Sequence, residues 1–174
     1  MIKLIRNFKI VKVDYNYCNY LRKFDSKVPY NAGKKELRPF IGILFLVNNC
    51  EYFAPLSSPK QKHLHMKNNI DFLKIADGKL GVINFNNMIP VSEKNYELFE
   101  LNNKFNNMNM ADIKRINLLK NQLLWLNKNR NKVKSKSLNL YTKYKNNKLP
   151  FNIKERCCNF ILLEEKCKKY NLDE

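Results

Sequence analysis

Phe40-Ile41-Gly42-Ile43-Leu44-Phe45-Leu46-Val47-Asn48-Asn49-Cys50-Glu51-Tyr52-Phe53-Ala54-Pro55 is the stretch that decides the fold. Two apolar runs flank a short turn-forming segment, which is the signature of a β-hairpin, and the uninterrupted run over 40–47 predicts a central strand buried on both faces. Working outward, apolar runs at 72–75, 80–85, 88–91 and 96–101 are separated by Asp77-Gly78, Asn86-Asn87 and Ser92-Glu93. They extend the hairpin into a mainly antiparallel sheet. On the other side, Ile10, Val11 and Val13 predict a strand over 9–13. Tyr17, Leu21 and Phe24 then stand at helical spacing over 15–24, with Asp14 as N-cap. Residues 25–37, with Pro29 and Gly33 among charges, read as a functional loop.

After Asn103 the hydrophobic period changes. Ile113, Ile116, Leu119, Leu123 and Leu126 recur every three or four residues, leaving Lys114, Arg115, Lys120 and Lys128 largely off the stripe, as in a long amphipathic helix. A second helix is expected over 132–145. A third is expected over 157–170, its start marked by Pro150 and its inner face carrying Phe160, Leu163 and Cys167. Strands with helices grouped before and after them give an α+β fold: a compact, mainly antiparallel twisted sheet flanked by helices, with a helical C-terminal third. The 174 residues, 44% hydrophobic and 12% aromatic, predict a single domain over 1–174.

Charge is the first functional signal. Thirty-three Lys and Arg against 15 Asp and Glu give a formal net charge of +18. AT-rich codon usage explains the preference for Lys over Arg and the abundance of Asn, but not the shortage of Asp and Glu. Residues 1–50 hold ten basic and three acidic residues, and residues 111–148 hold eleven basic and one acidic, so two segments carry nearly all the excess. Both are suited to tracking a phosphate backbone. The five cysteines are odd in number and lack CxxC spacing, which argues against a disulfide framework. No run of about 18 apolar residues and no apolar leader is seen, so a cytoplasmic protein with no membrane partner is expected.

Most enzyme signatures are missing: there is no Gly-rich phosphate loop, no G-x-S-x-G elbow and no metal-ligand cluster of adequate spacing. His63 and His65, with no cysteine nearby, make weak zinc ligands. What remains is Ala54-Pro55-Leu56-Ser57-Ser58-Pro59-Lys60-Gln61-Lys62-His63, where hydroxyls, lysines and an imidazole follow a buried strand. Hydroxyls and Lys donate to phosphate oxygens, a fixed cation stabilises a pentacoordinate phosphorane, and an imidazole transfers protons. Ser-Ser-Pro is also ordinary turn chemistry, and spacing alone does not choose between the two. Pairing 40–47 with 51–56 brings Arg38 next to Ser57 and Ser58, provided the register does not slip.

Lys27-Val28-Pro29, Arg38-Pro39-Phe40-Ile41-Gly42, Tyr52 through Lys60, Leu80 through Phe85 with Met88-Ile89-Pro90-Val91, and Asn159-Phe160 with Leu162 through Lys166 occur in this order. Together, over about residues 14–170, they resemble the ToxN/AbiQ/CptN family of type III toxin–antitoxin toxins. The resemblance implies an endoribonuclease that needs no metal or other cofactor. In-line attack of a 2′-hydroxyl leaves a 2′,3′-cyclic phosphate and a 5′-hydroxyl. By motif match the catalytic positions fall on Ser58 and Lys60, with Ser57 as the first hydroxyl and Arg38 where some members carry Lys. Arg is a poor general base, so Arg38 is expected to stabilise charge and proton removal to fall to Lys60 or a hydroxyl network. His63 is a candidate acid for the leaving oxygen. For a tyrosine that the family carries just before the basic residue, Lys34 stands at the spacing and Tyr30 lies further off.

The same resemblance implies an RNA antitoxin cut from tandem repeats and retained as pseudoknots in a closed toxin–RNA assembly, with cellular or phage RNA as substrate and abortive infection as outcome. Expected RNA contacts are Lys27, Lys34 and Lys35 in the first basic segment, Lys62 beside the serines, and Lys114, Arg115, Lys120, Lys128, Arg130 and Lys132 in the second. Tyr141 and Tyr144 are available for base stacking, core packing being the competing reading. The rivals from other classes are a non-catalytic basic RNA- or DNA-binding protein and a structural ribosome-associated protein.

Overall fold

In a computed structural model of the chain, residues 7–30, 38–102 and 108–172 are described. The elements are β1 (Lys9–Val13), α1 (Tyr15–Arg22), β2 (Phe40–Gly42), β3 (Leu46–Val47), β4 (Cys50–Ser57), α2 (Gln61–His65), β5 (Phe72–Lys74), β6 (Val82–Asn84), β7 (Ile89–Val91), β8 (Tyr96–Leu98), α3 (Met110–Lys128), α4 (Arg130–Lys145), α5 (Phe151–Lys154) and α6 (Phe160–Leu172). The strands form one antiparallel sheet in the order β5-β6-β4-β2-β1-β8, with β3 and β7 also paired to β4. The α+β arrangement with a helical C-terminal third is thus the one expected.

Strand β4 is the spine of the sheet. Its second half pairs with β2, Phe40 opposite Pro55, and with β6, Leu56 opposite Ile83. Its first half pairs with β3, Leu46 opposite Glu51, and with β7, Phe53 opposite Ile89. On one side the β2 and β3 ladders are joined by a bulge, where the Leu44 N–H donates to the Tyr52 carbonyl at 2.9 Å and the Tyr52 N–H to the Phe45 carbonyl at 3.0 Å; on the other side β6 and β7 are separated by the 3-10 turn Phe85–Asn87. The run over 40–47 therefore follows β4 as a bulged strand and is not buried on both faces throughout, a correction to the sequence reading. Phe40 and Ile41 are fully buried, but Leu46 is exposed. Just before the bulge, Gly42 lets the Phe53 ring lie across the strand, since an added Cβ there would stand 2.3 Å from that ring.

Asp14 caps α1 as expected, accepting from the Tyr17 backbone N–H at 2.8 Å. The helix ends at Arg22, before Phe24, which is exposed and packs edge-on against Tyr20. The long helix α3 buries Ile116, Leu119 and Leu126 on its predicted stripe. Gln122 joins them, its amide reaching the Leu80 carbonyl at 2.7 Å. The third helix needs correction: Pro150 caps only the short α5, and α6 begins at Phe160, where the Asn159 side chain accepts from the Leu162 N–H. Cys157 and Cys158 lie buried between the two helices. They are held there because the Asp25 carboxylate accepts from the Asn159 N–H at 2.6 Å.

Helix α6 lies against β7 and β4, and α1 lies against α6. The core runs through both, with Tyr17, Tyr52, Phe40, Phe53, Phe85 and Phe160 its largest fully buried side chains. All five cysteines are free and buried within it.

Candidate active site

Strand β4 delivers its last residue, Ser57, to the rim of the sheet, and the chain then leaves the ladder through exposed Ser58, Pro59 and Lys60. Ser57 is held in place by Asn84 of β6, whose amide donates to the hydroxyl at 2.8 Å. After Lys60 the chain closes one helical turn, α2, with His63 on its inner side, only 3% exposed. His63 Nδ1 accepts from the Lys60 backbone N–H at 3.1 Å. An accepting Nδ1 requires the neutral ring with its proton on Nε2. Burial, and then the neighbouring Lys62 and Lys60, push its pKa below the ordinary histidine value. The imidazole is a buried acceptor that shapes the turn presenting Lys60.

Residues 75–81 support this segment from behind. Gly81 has φ +96°, and a Cβ there would lie 1.9 Å from the Ser57 carbonyl oxygen; Gly78 has φ +93°, and its Cβ would lie 2.5 Å from the His63 carbonyl oxygen. Both positions combine a left-handed backbone with contact against the site, which only glycine satisfies without strain.

Arg38 enters from the opposing strand. The β2–β4 register continues through the Leu56 N–H donating to the Pro39 carbonyl at 2.9 Å, which sets Arg38 across from Ser57. The expected juxtaposition is met, although the register shifts by two residues between the β3–β4 pairing at the turn and the β2–β4 pairing at the site, which keeps the side chains on the same face. The guanidinium is half-buried, and its pKa is lowered first by burial and further by Arg22, with Cys18 opposing. Arg22, at the end of α1, donates to the Ser26 and Val28 carbonyls and lies 5.3 Å above the Tyr30 ring. Among the described residues neither arginine forms an ion pair with a carboxylate. Arg38 across from the serine pair, with Arg22 close enough to bear on its charge and no carboxylate paired to either among the described residues, forms a site prepared for an anion.

The comparisons with known proteins agree with this chemistry. The family model described as toxin ToxN of the type III toxin–antitoxin system matches residues 9–168. The chain belongs to the ToxN toxin family. Endoribonuclease ToxN of Bacillus thuringiensis subsp. kurstaki is 33% identical over 168 residues, covering 94% of this chain and 84% of that protein. A solved toxin described as selectively inhibited by a non-coding RNA pseudoknot superposes with TM-score 0.77 at 34% identity, covering 95% of this chain and 99% of that one. The lactococcal anti-phage endoribonuclease AbiQ superposes with TM-score 0.81 at 25% identity over 95% of this chain and 99% of its own.

In this ToxN-family chain the structure gathers Arg38, Ser57, Ser58 and Lys60 around the end of β4, and keeps His63 beneath them. Lys62 is exposed on α2. Lys27 is exposed but donates to the Glu155 carbonyl at 3.1 Å. Lys34 and Lys35 lie outside the described residues. On the second basic segment Lys114, Lys128 and Lys132 are exposed and Lys120 is partly so. Arg115 lies 5.3 Å above the Phe99 ring, and Arg130 donates to Asn7 at 2.8 Å.

Tyr141 and Tyr144 are not stacking platforms. Tyr141 is 5% exposed and packs with Tyr52, Phe45 and Phe160, and Tyr144 packs on Phe160 at 4.7 Å. Sequence reasoning passed over Arg22 and Asn84. Asn84 was visible as the polar residue interrupting Leu80-Gly81-Val82-Ile83-Asn84-Phe85; Arg22 carried no comparable signal, because its place beside Arg38 depends on packing distant segments. Among the described residues no group of three or more His, Cys, Asp or Glu side chains is arranged to hold a metal ion.

Proposed function

We propose that this chain is the toxin of a type III toxin–antitoxin pair, a single-domain endoribonuclease acting in the cytoplasm on cellular or phage RNA and held in check by an RNA pseudoknot antitoxin that it cuts from a repeat transcript. The observation that carries the reading is the exposed Ser58–Lys60 loop at the end of β4, opposed by Arg38, which has no carboxylate partner among the described residues, in a chain matched to the toxin family over residues 9–168. The pseudoknot inhibition and anti-phage activity of the solved relatives support the RNA partner and abortive infection as the biological outcome. One hydrophobic core joining residues from Phe8 to Cys167 supports a single domain.

The reaction on this reading is attack of a 2′-hydroxyl on the adjacent phosphorus, with expulsion of the 5′-oxygen and a 2′,3′-cyclic phosphate left behind. Negative charge grows on the non-bridging oxygens as the phosphorane forms, and Arg38 is placed to meet it with a forked donor. Ser58 and Lys60, both solvent-facing, handle the protons of the attacking and leaving oxygens. Ser57, with its hydroxyl oriented by Asn84, donates to the phosphate. His63, neutral and committed to the Lys60 N–H, positions the lysine.

The test is RNA cleavage by the Ser58→Ala protein in EDTA. The variant is expected to lose at least about 100-fold in cleavage rate while still binding RNA, and the wild-type products are expected to carry 2′,3′-cyclic phosphate ends. Undiminished cleavage by Ser58→Ala would displace the serine from the site. Cleavage that stops in EDTA would rule out the metal-free mechanism. A protein that binds RNA but never cuts it would leave the non-catalytic binding protein as the answer.

A further inference from the structure

Helix α3 carries a second apolar spot that its core packing uses only in part, Trp125 being half-buried against the core and Leu124 exposed. Its buried stripe is Ile116, Leu119, Gln122 and Leu126, yet on the other side Leu124 is 71% exposed and stands beside Trp125, the chain's single tryptophan. On a helix in a segment with eleven basic residues and one acidic, that side should be wholly polar. A cavity of about 640 Å³ opens there, walled by Leu80, Leu124 and Trp125 and rimmed by Lys79, Lys128 and Asn121. Among the described residues no acidic side chain lines it.

We infer that this cavity binds an unpaired nucleobase of the RNA strand that runs into the cleavage site, the base stacking on Trp125 and its flanking phosphates meeting Lys79 and Lys128. The apolar wall with an indole suits a base face, the lysine rim suits the backbone, and the Asn121 amide is available to a base edge. An indole wall between two lysines suits a flat base flanked by phosphates, whereas a protein partner would match the leucine but not the two lysines. The location favours the substrate strand. The Gln122 amide binds the Leu80 carbonyl at 2.7 Å, tying α3 to the same 75–81 segment whose glycines press on Ser57 and His63. The cavity and the cutting site are therefore two sides of one loop. The inference rests on the RNA-cleaving reading above.

Because Trp125 is the only tryptophan, its emission reports the proposed contact directly. Ser58→Ala protein, used to prevent cleavage, is titrated with a fluorescein-labelled single-stranded oligoadenosine, and with a fully paired hairpin RNA, while anisotropy follows binding independently. The expected result is quenching of Trp125 by the single strand, saturating with the anisotropy signal, and none by the paired stem. Trp125→Ala is expected to weaken single-strand binding by roughly 5- to 100-fold. Leu124→Glu, at an exposed position where folding is not at stake, is expected to weaken it in the same direction. With Ser58 restored, Leu124→Glu should raise KM for long RNA and leave cleavage of a minimal dinucleotide unchanged.

Binding seen by anisotropy with silent Trp125 emission would overturn the subsite and leave the RNA-cleaving reading standing, as would full affinity in Leu124→Glu. Quenching by the paired stem would overturn the unpaired-base assignment. Loss of dinucleotide cleavage in Leu124→Glu would make Leu124 part of the catalytic framework and likewise overturn it. No RNA binding by anisotropy at all would remove the RNA reading itself, and the subsite with it.

Discussion

At the scale of single residues, Arg38 and His63 carry opposite lessons about charge. Arg38 remains a cation beside another cation, so its environment is relieved when a phosphate arrives. Arg38→Ala is expected to lower the single-turnover cleavage rate by roughly 100- to 1000-fold, the range for removing a donor aimed at developing negative charge. Arg38→Lys should recover only part of it, since an ammonium keeps the charge and loses the fork. His63 is held neutral by burial and by Lys62 and Lys60, its pKa falling below the ordinary 6.5. The unfolded chain therefore takes up this proton first as pH falls. The stability contribution is complete above pH 6.5 and is lost as pH drops toward the folded-state value. In His63→Asn an amide oxygen can still accept from the Lys60 N–H but no longer titrates. Denaturant titrations across this range should show a flatter acid limb than wild type.

At the scale of elements, the site depends on the 75–81 segment more than on β4 itself. Gly81→Ala would have to hold φ +96° with a Cβ driven into the Ser57 carbonyl. The backbone strain alone costs about 1–3 kcal/mol, and the clash must also move Ser57 or the segment. Thermal unfolding should show the loss of stability, and cleavage should fall further than stability does, because the displaced atom belongs to the catalytic strand. A glycine also settles packing within the sheet: Gly42 leaves room for the Phe53 ring, which an added Cβ would meet at 2.3 Å.

At the scale of the molecule, two features set behaviour. Across the interface of sheet and helices, the Tyr52 hydroxyl donates to the buried Glu164 carboxylate at 2.7 Å, joining β4 to α6 in the core. Tyr52→Phe leaves that carboxylate short of a donor and should cost about 1–3 kcal/mol in urea unfolding, with cleavage by the folded protein unchanged. The second feature is the charge of +18. If the two basic segments meet RNA phosphates, affinity for single-stranded RNA should fall linearly on a log–log plot against salt, with a slope of about −0.7 per phosphate neutralised. Lys128→Glu should make that slope shallower, and a slope near zero would show that the charge is not in contact with RNA.

The hairpin, the change of period after Asn103, the N-cap at Asp14 and the serine–lysine loop are legible along the chain, because each depends on neighbours within a few residues. The same locality explains why the ordered motif blocks were enough to point to the family. Packing across the fold sets the bulge in the 40–47 run opposite Tyr52, the start of α6 at Phe160, the placing of Tyr141 in the core with Tyr144 against it, and the burial of a neutral His63. These outcomes turn on what a side chain meets across the fold. A tyrosine near lysines reads as a stacking platform until a sheet, supplied from ninety residues away, covers it. Arg22 and Arg38 become a pair only when a helix end and a strand start are folded together, so the electrostatic half of the site could not be read from the chain alone.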